Sequence, residues 1–134
     1  MDTKEKVMNE RLKGHCCSES IMNMGLEDIG LDPGTIQLFV KSMGAFCGGL
    51  REGLACGTLC AAVAVLCIAE EDPVKAKNET CPEMMAWFKE HFGAWNCGEL
   101  LEGDDTRRMT LCPVIIEETY IKLNDMLEDM GYGQ

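Results

Sequence analysis

A chain of 134 residues with nine cysteines and a formal net charge of −11 has the length of one domain, residues 1–134, and enough apolar residues to fold without disulfide staples. The acidic balance, with lysines and arginines scattered rather than striped, argues against a nucleic-acid backbone as partner, and the longest apolar run, Leu59 to Ala69, is too short to span a membrane. The charged start, Met1-Asp2-Thr3-Lys4-Glu5-Lys6, leads into no apolar core of signal-peptide length, so the expected compartment is a reducing cytoplasm.

Strand-type alternation is hard to find anywhere, and the pattern predicts an all-α fold: a compact bundle of about five helices around a central apolar Gly/Cys-rich helix. A first helix is expected over much of the segment up to about Met24, with Cys17, Ile21 and Met24 on one face and Gly25 beginning its end. Asp32-Pro33 then reads as an N-cap and first-turn pair, followed by the stripe Ile36, Phe39, Val40 and Met43 and a stop near Gly44. After Gly48-Gly49 a third helix, from roughly Gly53 to Ala69, is apolar on nearly every side and reads as the core. Thr80-Cys81-Pro82 starts a fourth helix with Met85, Phe88 and Phe92 inward and Gly93 at its end. Asn96 is placed to cap a short turn through Leu101, and an acidic loop follows at Glu102-Gly103-Asp104-Asp105. The last helix carries Ile116, Tyr120, Leu123, Leu127 and Met130, and Gly131 terminates it.

The cysteines divide by position. Cys56, Cys60 and Cys67 share one face of the central helix, with Cys60 about 40° and Cys67 about 20° around from Cys56. Cys67 reads as a small hydrophobe in a packed helix. Cys56, Cys81, Cys97 and Cys112 each precede or open a helix, where free N–H groups and the helix dipole favour thiolate, the form a metal ligand or nucleophile needs. For Cys81, a small residue ahead of a first-turn proline is explanation enough. No Cys-x-x-Cys is present, and His15 and His91 do not pair with cysteines at zinc-finger spacing. His15, beside Cys16-Cys17, is a minority candidate ligand. No phosphate loop, Ser-His arrangement or dinucleotide fingerprint is found.

The order of residues, Cys17-Ser18-Glu19-Ser20, a Gly-Gly loop, Cys56-Gly57-Thr58-Leu59-Cys60-Ala61, then Cys97 and Cys112, resembles the redox-active family named for its C_GCAxxG_C_C pattern. The likeness runs from about His15 to the final helix. It departs at Thr58, where the family usually has Ala, and at Ala61, where it usually has Gly. What the resemblance implies is redox activity through Cys17, Cys56, Cys97 and Cys112, with Gly48, Gly49 and Gly57 shaping the backbone around them.

Four cysteines gathered from several helices suit an iron–sulfur cluster of unspecified type working in electron transfer, with Cys16, Cys47 and Cys60 as reserve ligands. The alternatives are a metal-free thiol–disulfide oxidoreductase or redox sensor, with Cys56 or Cys97 as nucleophile, and a protein that binds copper or zinc. An acidic surface suits a basic redox partner protein, and a two-fold homodimer is the generic expectation for self-association.

Overall fold

The computed structural model describes residues 2–133, and among them the chain is helical throughout, with no strand. The elements are α1 (Thr3–Leu12), α2 (Cys17–Ile29), α3 (Pro33–Ser42), a 3-10 turn (Gly44–Phe46), α4 (Gly57–Ala69), α5 (Pro73–Lys75), α6 (Cys81–Phe92), α7 (Cys97–Leu100) and α8 (Arg108–Asp129). A wide turn, Ala76–Thr80, joins α5 to α6, and a 3-10 turn, Asp105–Arg107, leads into α8.

Helix α4 is the core element, as its composition predicts. Leu59, Ala61, Ala62, Val65 and Leu66 are almost wholly buried, and α4 packs against α2, α8 and α6. Ile21, Leu26, Met84, Phe88 and Leu123 close the same cluster, and burying each such side chain stabilises the fold by about 1.5–3 kcal/mol.

The expected first helix is in fact two, which makes six helices of ten or more residues among the described residues, in keeping with the expected bundle of about five. Gly14 takes φ +84°, and the His15 amide donates back to the Glu10 carbonyl, which closes α1 four residues before α2 opens. Gly25 does not begin an end. It sits inside α2, where a Cβ would meet Val65 Cγ1 at 2.9 Å and Leu123 Cδ2 at 3.2 Å, so its smallness lets α2, α4 and α8 come together. The real terminator is Gly30, at φ +88°.

Helix α4 starts at Gly57, not near Gly53, because the preceding residues pair with the chain ahead of α7. In α6, Met84 is the fully buried methionine, and Met85 and Phe92 pack at the margin of the core. Asn96 occupies the N-cap position of α7, but its amide binds Glu99 Oε1 at 3.0 Å instead of capping the backbone. Cys112 does not open a helix: it is the fifth residue of α8, with Pro113 inside the helix behind it. Cys81 opens α6, but the chain ahead is already helical and its amide donates to the Ala76 carbonyl.

No helix among the described residues is long and apolar enough to cross a membrane.

Candidate functional site

The site forms around the start of α4, where three backbone devices meet. The first is the turn Gly48-Gly49-Leu50-Arg51, whose residues all hold positive φ, between +61° and +68°. Leu50 and Arg51 are in a conformation that side chains resist, which marks a backbone held by its surroundings. At Gly49 glycine is obligatory, since a Cβ would sit 2.6 Å from the Leu54 amide nitrogen. The turn closes through the Leu54 amide, which donates to the Gly49 carbonyl at 3.0 Å.

The second device is an isolated antiparallel bridge between Ala55 and Asn96. The Cys97 amide donates to the Leu54 carbonyl at 2.7 Å, and the Cys56 amide donates to the Trp95 carbonyl at 2.8 Å. Cysteines distant in sequence are thereby fixed on either side of one bridge. Gly53 and Gly98 let the two segments approach: a Cβ on Gly53 would lie 3.4 Å from Gly98 Cα.

The third is the meeting of α2 with α4. Cys17 is the first residue of α2, and Gly57 is the first of α4. A Cβ on Gly57 would meet the Phe46 carbonyl oxygen at 2.6 Å and Cys17 Sγ at 3.1 Å. The absence of a side chain at Gly57 is what admits the Cys17 sulfur to this point.

Cys56 and Cys97 are buried, whereas Cys17, Cys60 and Cys112 are partly buried. Cys17 is close enough to act electrostatically on Cys56, Cys60 and Cys112, and Cys97 acts on Cys112. Arg108, one turn before Cys112 on α8, reaches across: Nη1 is 3.8 Å from Cys97 Sγ, and Nη2 donates to Asp105 at 3.1 Å. It packs over Gly48, where a Cβ would lie 3.3 Å from Nη1.

Burial governs these thiols. It pushes Cys56 up to about 12, with the nearby Cys17 adding to the effect and N–H groups of Leu59 and Thr58 only partly offsetting it. Cys112 is raised to about 11 by burial and Cys17, with Arg108 working the other way. Cys60 is raised by burial first and Cys17 second. The thiolate-favouring helix start expected at Cys56 and Cys112 is therefore overridden: at Cys56 desolvation outweighs the helix amides, and Cys112 is not at a helix start.

Beside this group Cys16 and Cys47 are joined by a disulfide, with their Cα atoms 6.2 Å apart. Ser18 holds the pair in place. Its hydroxyl donates to the Met43 carbonyl at 2.7 Å and lies 3.3 Å from Cys47 Sγ and 3.4 Å from Cys16 Sγ. Glu19 Oε1 accepts from the Cys16 amide at 2.9 Å. Among the described residues, Cys16 Sγ, Cys47 Sγ and a Glu19 carboxylate oxygen form a group of three ligand-type atoms within 4.8 Å of one another.

Two cavities flank Arg108. One of about 230 Å³ is lined by His15, Cys16, Cys17, Cys47 and Cys112, among others. The other, about 620 Å³, is lined by Cys47, Gly48, Arg51, Cys97 and Arg108, among others. His15 is oriented from behind, its Nδ1 2.7 Å from Oε1 of the buried Glu10, which also accepts from Asn23 at 2.8 Å.

The seven residues singled out in the sequence thus lie in one region: Cys17, Cys56, Cys97 and Cys112, with Gly48, Gly49 and Gly57 at the close approaches. Cys60 lies at its edge, its sulfur 4.0 Å from the Ala55 carbonyl. Sequence reasoning missed three features. The Cys16–Cys47 pairing has no spacing signature, although Glu19 three residues after Cys16 is capping-box spacing. Arg108 had a signal, standing four residues before Cys112 on a helix face. The third is the contact of Glu10 with His15, itself a minority candidate ligand in the sequence, across a helix break that the apolar pattern did not mark.

No curated protein and no solved structure matches the chain. The profile of the family described as "putative redox-active protein (C_GCAxxG_C_C)" matches residues 15–126, most of the chain and the whole cysteine region just described, and the protein belongs to that family.

Proposed function

We propose that this redox-family protein binds an iron–sulfur cluster through Cys17, Cys56, Cys97 and Cys112 and transfers electrons. The observation that carries the reading is the convergence of four cysteines from α2, the start of α4, α7 and α8: Cys56 and Cys112 lie within electrostatic reach of Cys17, and Cys97 lies within reach of Cys112 beside Arg108.

The donor set fits the group. Four thiolates are the ordinary ligands of such clusters. Burial holds Cys56 and Cys112 as thiols, which makes them poor free nucleophiles; a bound cationic centre is what would ionise them. When bound, the cluster would supply one-electron chemistry. The chain would supply the rest: Gly57 leaves room for Cys17, the Ala55–Asn96 bridge fixes the backbone at Cys56 and Cys97, and Arg108 brings positive charge to Cys97 and Cys112.

The test is anaerobic purification, a visible spectrum, and quantification of iron, acid-labile sulfide, zinc and copper, repeated with Cys56→Ala and Cys97→Ala. Charge-transfer bands with stoichiometric iron and sulfide, lost in both variants, are the expected result. A colourless, metal-free protein overturns it.

The Cys16–Cys47 disulfide favours a second reading, a metal-free dithiol that passes two electrons and two protons to an acceptor disulfide when it oxidises. It predicts reversible cycling of this pair with a defined midpoint potential and no metal. In either case a basic partner protein suits the net charge of −11.

A further inference from the structure

We infer that Cys67 and Cys81 form a second thiol–disulfide site, independent of the cysteine cradle and its metal, which a small-molecule disulfide of the glutathione type can oxidise. Cys67 lies near the end of α4 and Cys81 opens α6, and their sulfurs are 3.4 Å apart. That is contact without a bond, and a disulfide needs an approach to about 2.05 Å. From Cys56 the pair is eleven residues further along, about 16 Å at helical rise, so it lies at the opposite end of α4 from the cradle.

The two thiols are unlike in a way that orders the chemistry. Cys67 is exposed, whereas Cys81 is partly buried and its sulfur points at the Val63 carbonyl at 3.5 Å. Burial and the adjacent Cys67 raise the Cys81 thiol to about 12, so it is the weaker first nucleophile. Cys67 attacks first: its thiolate forms a bond to one sulfur of glutathione disulfide, the S–S bond of that molecule breaks, and one glutathione thiolate leaves. Cys81 then loses its proton to solvent and attacks the Cys67 sulfur of the mixed disulfide, expelling the second glutathione thiolate. The two protein thiols lose two electrons and two protons in all, and one glutathione disulfide becomes two glutathione thiols. The product ties the last turn of α4 to the first turn of α6.

Reduced full-length protein, equilibrated anaerobically with glutathione and glutathione disulfide at graded ratios, would be quenched in acid, alkylated, digested with trypsin and mapped by mass. Cleavage at Lys75 and Lys77 separates the two cysteines. The peptide that carries Cys67 also carries Cys56 and Cys60, so Cys67→Ser is the control that assigns the link. The expected result is a cross-link between the Cys67 and Cys81 peptides that rises with glutathione disulfide, falls with the square of glutathione, and vanishes in Cys67→Ser. In Cys81→Ser the expected product is Cys67 carrying one trapped glutathionyl group. The inference is overturned if both thiols stay free across ratios that oxidise Cys16–Cys47. A wild-type protein with separate glutathionyl groups and no cross-link overturns it equally, as does a link from Cys67 to any other cysteine. Metal content plays no part in the readout, so a failed cluster assignment leaves the test intact.

Discussion

The two ends of α4 both bring cysteines together, yet by different means. At the N-terminal end Cys56 is 7% exposed and is held by backbone: the left-handed turn, the Ala55–Asn96 bridge and the close approach at Gly57. At the C-terminal end Cys67 is exposed on regular helix and meets Cys81 by side-chain placement alone. Proximity of sulfurs is common to both. What differs is the cost of moving them, and a rigid, desolvated cradle suits a resident centre whereas an accessible pair suits exchange.

The largest expected effect separates the ends most sharply. Reducing Cys16–Cys47, or replacing Cys47 by Ser, opens a link spanning 31 residues and should lower stability by about 3–4 kcal/mol. Urea unfolding with and without reductant measures it, and an unchanged midpoint would mean that the bond is not made in solution. Next in size, Gly57→Ala should destabilise by about 1–3 kcal/mol through the collision with the Phe46 carbonyl and Cys17 Sγ. That is a reversal of the usual helix preference for alanine over glycine. Retained iron and unchanged unfolding in this variant would remove Gly57 from the cradle.

A pH titration sharpens the contrast in burial. In metal-free folded protein Cys56 keeps its proton to about pH 12, against an ordinary value of 9.0 in the unfolded chain. Above pH 9 the unfolded state therefore binds fewer protons, and stability falls as pH rises. Between pH 9 and pH 10 this group alone should account for about 1 kcal/mol, present in the parent and absent in Cys56→Ala by denaturant titration at each pH. Cys112 works in the same direction over its own window, from 9.0 to about 11.

Smaller again is Arg108→Gln. Loss of the guanidinium 3.8 Å from Cys97 Sγ should raise the Cys112 thiol further, slow its alkylation a few-fold at pH 8, and lower the midpoint potential of any bound centre. Alkylation at an unchanged rate would show that Arg108 acts only through Asp105. The smallest effect is expected at the far end: Cys67→Ser, on an exposed surface, should shift stability by less than about 0.5 kcal/mol and leave metal content as in the parent.

Much of this was legible in the sequence. The unbroken apolar run of residues 59–69 and the apolar periodicity of residues 116–130 mark the core helices, because a helix surrounded by others is apolar on every side and one at the edge only on the face that leaves water. Asp32-Pro33 and Gly93 mark helix ends because capping and left-handed backbone are local properties, and the structure places α3 and the end of α6 there. The cysteine order with its Gly-Gly and Cys-Gly steps sufficed to identify the family. Tertiary structure alone decided the rest. Gly25 reads locally as a terminator and serves instead as a contact between helices, since Val65 and Leu123 arrive from 40 and more residues away. The pairings Cys16 with Cys47 and Cys67 with Cys81 depend on which helices pack together, and no spacing rule encodes that. The protonation of Cys56 likewise follows from desolvation, a property of everything folded around it, which here outweighs the helix start that its own sequence neighbours provide.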